Sequence, residues 1–405
     1  MKKISFLHKN NLGKNNSNKK TYNKMSKIFF KIFNEINLNL DNTRDTFHVL
    51  SKYFKFNFKT KNLKKLNDFK TVVVVGMGGS ILGSNAIYDF LKFKIKKKFI
   101  FFDNLDNNKL LKFKKENAAK KTLFIIISKS GDTIETLTNF ILLKIIKKNA
   151  KNLIIISERK SSVLFSISKK YNLYYIEHSN FLGGRYSVLS EVGIIPAYFM
   201  GINPNNIRKN LTRYLNTKEK NFLRNSSITL TNMLNKKVHK NIVLLNYAPQ
   251  LETFLFWCQQ LLAESLGKKG KGFLPIISNA PKDHHSLLQL YFDGPKDKIF
   301  YIFSIDDNSG DKINIKKISN KISYLNNKNI NKIKEAQKKA AIKVLSKSGI
   351  PFREFTVKAV NEETLGELFS YFMLETAIVG KMANINPFDQ PAVEQVKTFT
   401  KKILS

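Results

Sequence analysis

The apolar residues between positions 70 and 180 occur in short runs that are rich in Val, Ile and Phe. These runs lie at 72–75, 99–102, 123–127, 153–156 and 173–176. The segments between them, such as 133–146, carry apolar residues at helical spacing instead. Continuous apolar strands that alternate with helices are typical of a parallel sheet covered on both faces. We therefore predict an α/β unit built on a parallel sheet.

A second series of the same kind follows along the chain. Its predicted strands lie at 242–245, 273–277, 299–303 and 352–357, and its predicted helices at 250–266, 331–346 and 361–382. Turn-forming residues at 201–206 separate the two series. We predict an N-terminal helical extension at 1–60, two α/β domains at 61–203 and 204–380, and a C-terminal segment with a helix at 381–405. The Lys- and Asn-rich stretch 312–334 is predicted to be a surface insertion.

The charge of the chain first suggests a nucleic-acid partner. Its 405 residues include 70 Lys and Arg against 30 Asp and Glu, a formal net charge of +40, and clustered cations neutralise phosphates. However, Arg occurs at only seven positions, and Lys is dispersed along the chain. Base readout and bidentate phosphate recognition favour Arg. We therefore predict a solvated Lys-rich surface and no nucleic-acid partner, whereas a polyanion binder would concentrate its cations on one face.

The numbers and positions of cysteine and histidine argue against disulfide and metal sites. The single cysteine, Cys258, excludes an internal disulfide and a thiolate metal cluster, and its apolar surroundings predict a buried, inert thiol. The histidines form no pair at metal-ligand spacing, so we predict no metal. No stretch reaches the roughly 18 apolar residues of a membrane span, and the basic start has no signal-peptide core. We expect a cytoplasmic protein without a membrane partner.

A glycine-rich loop, Gly76-Met77-Gly78-Gly79-Ser80-Ile81-Leu82-Gly83, directly follows the first predicted strand. Glycines at a strand end let backbone amides approach a ligand, and the next helix offers its positive N-terminus. Ile81 and Ser84 stand where a dinucleotide fingerprint and a P-loop require Gly and Lys, which excludes both motifs. A tight strand-to-helix turn without a ligand explains the same residues, so this loop alone decides nothing.

A hydroxyl-rich loop, Ser128-Lys129-Ser130-Gly131-Asp132-Thr133-Ile134-Glu135-Thr136, follows the predicted strand 123–127. Hydroxyls, one ammonium group and a glycine converge there at the start of a helix, with Thr133 as the expected N-cap. This chemistry suits a phosphate monoester, because hydroxyls and amides donate to its oxygens and the helix dipole favours its charge. A capped helix with nothing bound remains the alternative. Both loops lie at strand carboxyl ends, where open α/β sheets bind ligands.

The hydroxyl-rich loop resembles the phosphosugar-binding loop of sugar isomerase (SIS) domains. Three further segments resemble signature segments of the glucose-6-phosphate isomerase family: Gly183-Gly184-Arg185-Tyr186-Ser187, Leu262-Ala263-Glu264-Ser265-Leu266-Gly267-Lys268, and the run from Asn386-Pro387-Phe388-Asp389-Gln390 to Lys397. The similarity extends with gaps over most of the chain and is to the shorter bacterial members. It implies two SIS-type αβα sandwiches with parallel sheets, plus a helical N-terminal extension and a C-terminal helical arm.

The resemblance also implies an activity and a set of site residues. The activity is reversible isomerisation of glucose 6-phosphate to fructose 6-phosphate, through ring opening and a cis-enediolate and without a cofactor. The implied sugar-phosphate-binding residues are Ser128, Lys129, Ser130, Thr133, Thr136, Ser80, Gly78, Gly79 and Gln390. Glu264 matches the general base, and Arg185 matches the residue that stabilises the enediolate oxygen. Without the resemblance, both would pass for surface residues, at a helix end and in a turn.

His285 and Lys397 match the residues that open the sugar ring in this family. The neighbouring His284 competes with His285, and either could be an ordinary surface histidine. Lys397 carries no signal of its own in a Lys-rich chain; the preceding segment that ends at Gln390 singles it out. Gln390 lies seven residues earlier, a spacing of two helical turns that would let both side chains face one pocket.

In this family the histidine is supplied by the neighbouring subunit, so the resemblance implies a homodimer with a shared active site. Two alternatives stay open. A non-catalytic SIS-type sugar-phosphate sensor would keep the hydroxyl-rich loop but would not need Glu264, Arg185, His285 and Lys397 together. A relaxed isomerase would also accept mannose 6-phosphate.

Overall fold

The computed structural model describes residues 5–12, 19–116, 121–315 and 318–405, and the strands among them form two five-stranded sheets. The strands are β1 (Phe6–Asn11), β2 (Thr71–Val75), β3 (Lys98–Phe102), β4 (Thr122–Ile127), β5 (Leu153–Ser157), β6 (Tyr174–Glu177), β7 (Asn241–Asn246), β8 (Leu274–Asn279), β9 (Lys298–Ile305) and β10 (Phe352–Val357). Every strand from β2 onwards overlaps a predicted apolar run. The pattern is clearest in β2, β4 and β5, where buried Val and Ile residues leave little choice of conformation.

The first sheet has the strand order β3-β2-β4-β5-β6, and all of its neighbours run parallel. β2 and β4 are adjacent, with Val75 opposite Ile126. The chain turns to opposite sides of the sheet after these two strands. Their following loops, the glycine-rich loop and the hydroxyl-rich loop, therefore emerge side by side at the carboxyl edge, where parallel sheets place their ligand sites.

The second sheet has the order β1-β10-β9-β7-β8. Its strands run parallel except for β1, which pairs antiparallel with β10 and places Phe6 opposite Val357. The apolar spacing had predicted a helical N-terminal extension. That prediction was wrong for Phe6–Asn11, which form a strand. Only one face of this edge strand is covered, so it lacks the apolar run that marks the other strands, and its partner lies more than 300 residues away in the chain.

The helices connect and flank the two sheets. They are α1 (Lys19–Asn39), α2 (Thr60–Lys64), α3 (Leu82–Phe90), α4 (Asn107–Lys115), α5 (Ile134–Leu142), α6 (Val163–Lys170), α7 (Glu191–Phe199), α8 (Pro204–Arg208), α9 (Arg213–Asn216), α10 (Lys220–Lys236), α11 (Glu252–Leu266), α12 (Leu288–Asp293), α13 (Ile330–Lys347), α14 (Glu362–Met382) and α15 (Val393–Leu404). The structure thus confirms the predicted α/β class with two parallel-sheet units.

One continuous apolar core joins the two sheets. It contains Val72 and Val74 of the first sheet, Leu244 of the second, and residues of α3, α7, α11 and α14. The alternate residues Val73 and Val75 face a separate core under α4, α5 and α6, as the twofold periodicity of a strand requires. α11 therefore lies inside the protein between the two sheets. Any catalytic group on it is held by packing on several sides.

Two smaller expectations can be compared with the fold. Cys258 is fully buried in α11, which confirms the prediction of a buried thiol, and burial raises the pKa of that thiol well above its usual value. Within the predicted insertion 312–334, residues 316–317 lie outside the described part of the chain, and most of 318–325 is exposed. Across the described ranges, each helix is too short or too polar to cross a bilayer.

Candidate functional site

The hydroxyl-rich loop gathers three hydroxyl groups between β4 and α5. Thr133 Oγ1 lies 2.9 Å from Ser128 Oγ and 3.3 Å from Ser130 Oγ. The backbone amides of Gly131 and Asp132 donate to Ser128 Oγ and Ser130 Oγ, at 3.2 Å each. These amide bonds fix the positions of the two serine hydroxyls. Hydroxyl groups can donate hydrogen bonds to the oxygens of a phosphate group.

Thr133 occupies the N-cap position of α5, as predicted, but its side chain makes no capping hydrogen bond. Its hydroxyl is turned toward the two serines instead. Thr136, one turn into the helix, is buried, and its hydroxyl has no hydrogen-bond partner in the described residues. Ser80, in the glycine-rich loop beside them, is also buried. The exposed part of the cluster is therefore formed by Ser130 and Thr133.

The Lys129 ammonium group is held by protein oxygens. Its Nζ donates to the carbonyl oxygen of Asn180 at 3.2 Å and lies 3.5 Å from Glu158 Oε1. Asn180 belongs to the segment that leads from β6 into the loop of Arg185. Lys129 therefore ties the hydroxyl-rich loop to that segment.

The glycine-rich loop brings two other parts of the site into contact. Gly78 has φ +52°, and a Cβ atom there would lie 2.7 Å from Gln260 Nε2. A Cβ atom on Gly79 would lie 2.2 Å from the backbone carbonyl carbon of Gly184. Only glycine at these positions lets the loop pack directly against α11 and against the backbone that carries Arg185.

Arg185 lies in a short 3₁₀ helix, Gly184–Leu189, and its side chain is only 1% exposed. Its acceptors are Ser265 Oγ for Nε (2.8 Å), Glu264 Oε2 (3.0 Å) and Gln390 Oε1 (2.8 Å) for Nη1, and the carbonyl oxygens of Pro387 (2.6 Å) and Asp389 (3.1 Å) for Nη2. All five N–H groups of the guanidinium are thus in use. The cation is fixed in one orientation.

Glu264 lies near the end of α11 and receives two hydrogen bonds. Arg185 Nη1 donates to its Oε2, and Gln260 Nε2 donates to its Oε1 at 2.9 Å. Its side chain is still 31% exposed and opens into a groove shared with Gly267 and Gln390. A carboxylate that is oriented by two donors yet accessible from one side can take up and return a proton at a fixed position.

The described residues do not bring His285 into this cluster. It is exposed at the end of a 3₁₀ turn, Lys282–His285, and no side-chain hydrogen bond is recorded for it. Its competitor His284 is engaged, because its Nε2 lies 2.7 Å from the hydroxyl of Tyr247. Of the two histidines, His285 is the one whose ring faces outward.

Lys397 also lies outside the cluster. It is 53% exposed on α15 and pairs with Glu394 of the same helix at 2.6 Å. The helical spacing assumed between Gln390 and Lys397 was wrong, since α15 begins only at Val393 and Gln390 precedes it. Gln390 belongs instead to the turn that meets Arg185.

A model of the phosphoglucose isomerase family matches residues 48–405 of the chain. The chain belongs to this family. It is 34% identical to the glucose-6-phosphate isomerase of Methanocaldococcus jannaschii over 355 residues, which covers 84% of the chain and 86% of that protein. It is 32% identical to the glucose-6-phosphate isomerase of Mycoplasmopsis pulmonis over 371 residues, covering 85% of each.

Two solved structures share the fold. A hypothetical protein from Thermus thermophilus superimposes with a TM-score of 0.83 at 22% identity, over 98% of the chain and all of that protein. A glucose-6-phosphate isomerase from Chlamydia trachomatis gives 0.78 at 16% identity, over 99% and 88% of the two chains. The two-sheet architecture of this phosphoglucose isomerase family member is therefore shared along nearly its whole length.

Three residues of the site were missed in the sequence. Gln260 lies one helical turn before Glu264, so its spacing of four residues could have placed it on the same face. Ser265 and Tyr186 are within the signature segments but carried no assigned role. The Tyr186 hydroxyl bonds to Ser265 and to the carbonyl of Pro387, and burial raises its pKa, so it stays a donor. Together these residues orient the Arg185–Glu264 pair.

Proposed function

We infer that the chain is an aldose–ketose isomerase that interconverts glucose 6-phosphate and fructose 6-phosphate. Membership of the phosphoglucose isomerase family and relatives with that name over most of the chain support this activity. The single observation that carries the mechanism is the accessible Glu264 carboxylate, which is held by hydrogen bonds from the saturated guanidinium of Arg185 and from Gln260. That combination suits proton transfer on a bound sugar phosphate.

For phosphate binding we assign the main role to the hydroxyls of Ser128, Ser130 and Thr133. They lie at the carboxyl edge of a parallel sheet and at the start of α5, where the helix dipole favours an anion. We assign Ser80, Thr136, Gly78 and Gly79 to the same sugar-phosphate site, in which Ser80 and Thr136 are buried. The ammonium of Lys129 contributes its charge from its position on Asn180 and Glu158, rather than as a freely mobile ligand.

For the isomerisation step we assign Glu264 as the base that moves a proton between C2 and C1. Arg185 lies against it as a permanent cation, so negative charge on the enediolate oxygens is met by a group that need not reorganise. Gln390 accepts a hydrogen bond from Arg185, and Gln260 donates one to Glu264, so both side chains are held in position. The reaction moves a proton between adjacent carbons with no net redox change, so acid and base side chains supply the required chemistry without a cofactor.

For ring opening we assign His285 and Lys397. Both are exposed in the single chain, which fits a site completed by a second subunit. We therefore propose a homodimer in which His285 enters the site of the neighbouring subunit, with Lys397 closing over the sugar on its exposed helix. We also place the enzyme in the cytoplasm, in glycolysis and gluconeogenesis, where both sugar phosphates are metabolites.

The experiment is a coupled assay of the purified chain in both directions, together with the variant Glu264→Gln. Removing a general base costs about 10²–10⁴-fold in rate, so we expect turnover to fall by that amount while fructose 6-phosphate still binds in calorimetry. Glu116→Gln is the control, because Glu116 forms an exposed ion pair with Lys98. A Glu264→Gln enzyme with unchanged turnover would refute the assigned base.

The same assay separates the alternatives. A wild-type chain that binds both sugar phosphates without converting them would be a sensor. Conversion of mannose 6-phosphate at a comparable rate would make it a relaxed isomerase. Nothing in the geometry of the site favours either alternative over a glucose-6-phosphate isomerase.

A further inference from the structure

The turn formed by residues 386–390 provides most of the oxygens that hold Arg185. Two of its backbone carbonyls and the side chain of Gln390 accept from the guanidinium. The turn has internal bonds, from Phe388 N to Asn386 Oδ1 and from Asn386 Nδ2 to Asp389 Oδ2. Arg185 is oriented by oxygens that the turn presents, so whatever fixes the turn also fixes the cation.

Lys268 also contacts this turn. Its Nζ donates to the carbonyl oxygen of Asn386 and lies 3.0 Å from Asp389 Oδ1. A third bond, of 3.3 Å, goes to the carbonyl oxygen of Ser265 at the end of α11. One ammonium thus joins both ends of the turn to the helix that carries Glu264.

The setting of Lys268 is unusual for a lysine. Its side chain is only 12% exposed, in a chain whose many other lysines are largely solvated. Burial lowers the pKa of its ammonium, and the hydrogen bond to Asp389 offsets part of that effect. Partial burial of a cation is costly unless its oxygen partners compensate, and all three partners of Lys268 lie around Arg185 and Glu264.

We propose that Lys268 is a positioning residue for the isomerisation step: it clamps the 386–390 turn to α11 and thereby sets the distance between Arg185 and Glu264. The proposal rests on the function proposed above for that pair. Lys268 acts through the turn. Its loss moves the carbonyls of Pro387 and Asp389, and the saturated guanidinium follows its acceptors.

The expected signature is a loss in kcat rather than in substrate binding. The phosphate contacts assigned to Ser128, Ser130 and Thr133 come from the end of β4, and within the turn only Gln390 was assigned to substrate binding, so we expect KM to change less than kcat. A displacement of about 1 Å at a reacting group costs on the order of 100-fold in rate. We therefore expect Lys268→Met to lower kcat by about 10- to 100-fold.

Lys269→Met is the matched control. Lys269 is the next residue in the same loop, and its Nζ also donates to a backbone carbonyl, that of Asn384 at 3.1 Å. That carbonyl precedes the turn and does not contact Arg185. We expect its kcat within about twofold of wild type, the range of an ordinary surface substitution. Lys268→Arg, which keeps a cationic donor, should recover most of the activity.

The test measures kcat, KM and unfolding temperature for wild type and these three variants. Loss of kcat in Lys268→Met alone, with rescue by arginine, supports the clamp. Equal loss in the Lys269 variant, a rise in KM alone, or unchanged kcat overturns it. If Lys268→Met does not fold, Asp389→Asn removes the charged partner from an exposed position and must lower kcat in the same direction. An inactive wild type would instead overturn the proposed function.

Discussion

Replacing Arg185 with lysine tests whether the saturated guanidinium organises the site. The substitution keeps the positive charge but changes its geometry, from a planar fork with five N–H groups to one ammonium with three. Since all five acceptors around Arg185 are used, at least two must lose their donor. The Arg185 side chain is buried, so water cannot freely replace the missing bonds.

The magnitude follows from that count. A hydrogen bond to a charged group contributes roughly 1.5–3 kcal/mol, so two lost bonds cost about 3–6 kcal/mol in the free energy of unfolding. That is a large part of the roughly 5–15 kcal/mol that stabilises a typical domain. Where the lysine variant folds, the loss of one preorganised donor lowers kcat by about 10²–10³-fold.

The assay compares Arg185→Lys with Arg159→Lys. Arg159 forms an ion pair with Glu177, but its side chain is 67% exposed, so its replacement should leave both readouts near wild type. Unfolding is followed by calorimetry, and turnover by the coupled assay. If Arg185→Lys unfolds at the wild-type temperature and turns over at the wild-type rate, the five-bond network does not organise the site.

Three further predictions follow from the fold. Gly79→Ala places a methyl group against the Gly184 backbone, so we expect about 1–3 kcal/mol of destabilisation and reduced turnover; a urea midpoint equal to wild type would contradict the close contact. Arg353→Met leaves Glu375 buried without its ion-pair partner. The urea midpoint should fall by the equivalent of about 3–5 kcal/mol in the free energy of unfolding. An unchanged midpoint would exclude a structural role for the pair. Burial lowers the pKa of His178 from 6.5 to about 4. Between these pH values only the unfolded chain binds the proton, so the free energy of unfolding should fall as pH drops from 6.5 towards 4. His178→Asn should flatten this dependence of stability on pH in calorimetry, and an equally steep dependence would assign the effect to another group.

The sequence predicted the strands well because a run such as 123–127, buried on both faces, has one favourable solution. It also located the hydroxyl-rich loop, since a cluster of Ser and Thr at a strand end is a local feature. The hydrogen bonds of the Thr133 hydroxyl were harder to predict from the sequence. Local chemistry favoured a helix cap, but hydrogen bonds to Ser128 and Ser130 compete for the same hydroxyl and win in the folded chain.

Features that depend on distant partners could not be predicted from local pattern. Lys268 looks like any other lysine until the turn at 386–390 folds against it. The seven-residue spacing of Gln390 and Lys397 led to a wrong prediction, because Pro391 and the turn before it interrupt the helical periodicity. The same holds for β1, whose pairing partner at the edge of the second sheet is supplied only by the fold.

That edge strand has a consequence for biosynthesis. β1 pairs with β10, which follows it by more than 300 residues of chain. At a synthesis rate of roughly 5–20 residues per second, the nascent chain waits on the order of tens of seconds before this pairing is possible. The first sheet can assemble during that interval, whereas the second sheet is completed only once β10 has been synthesised.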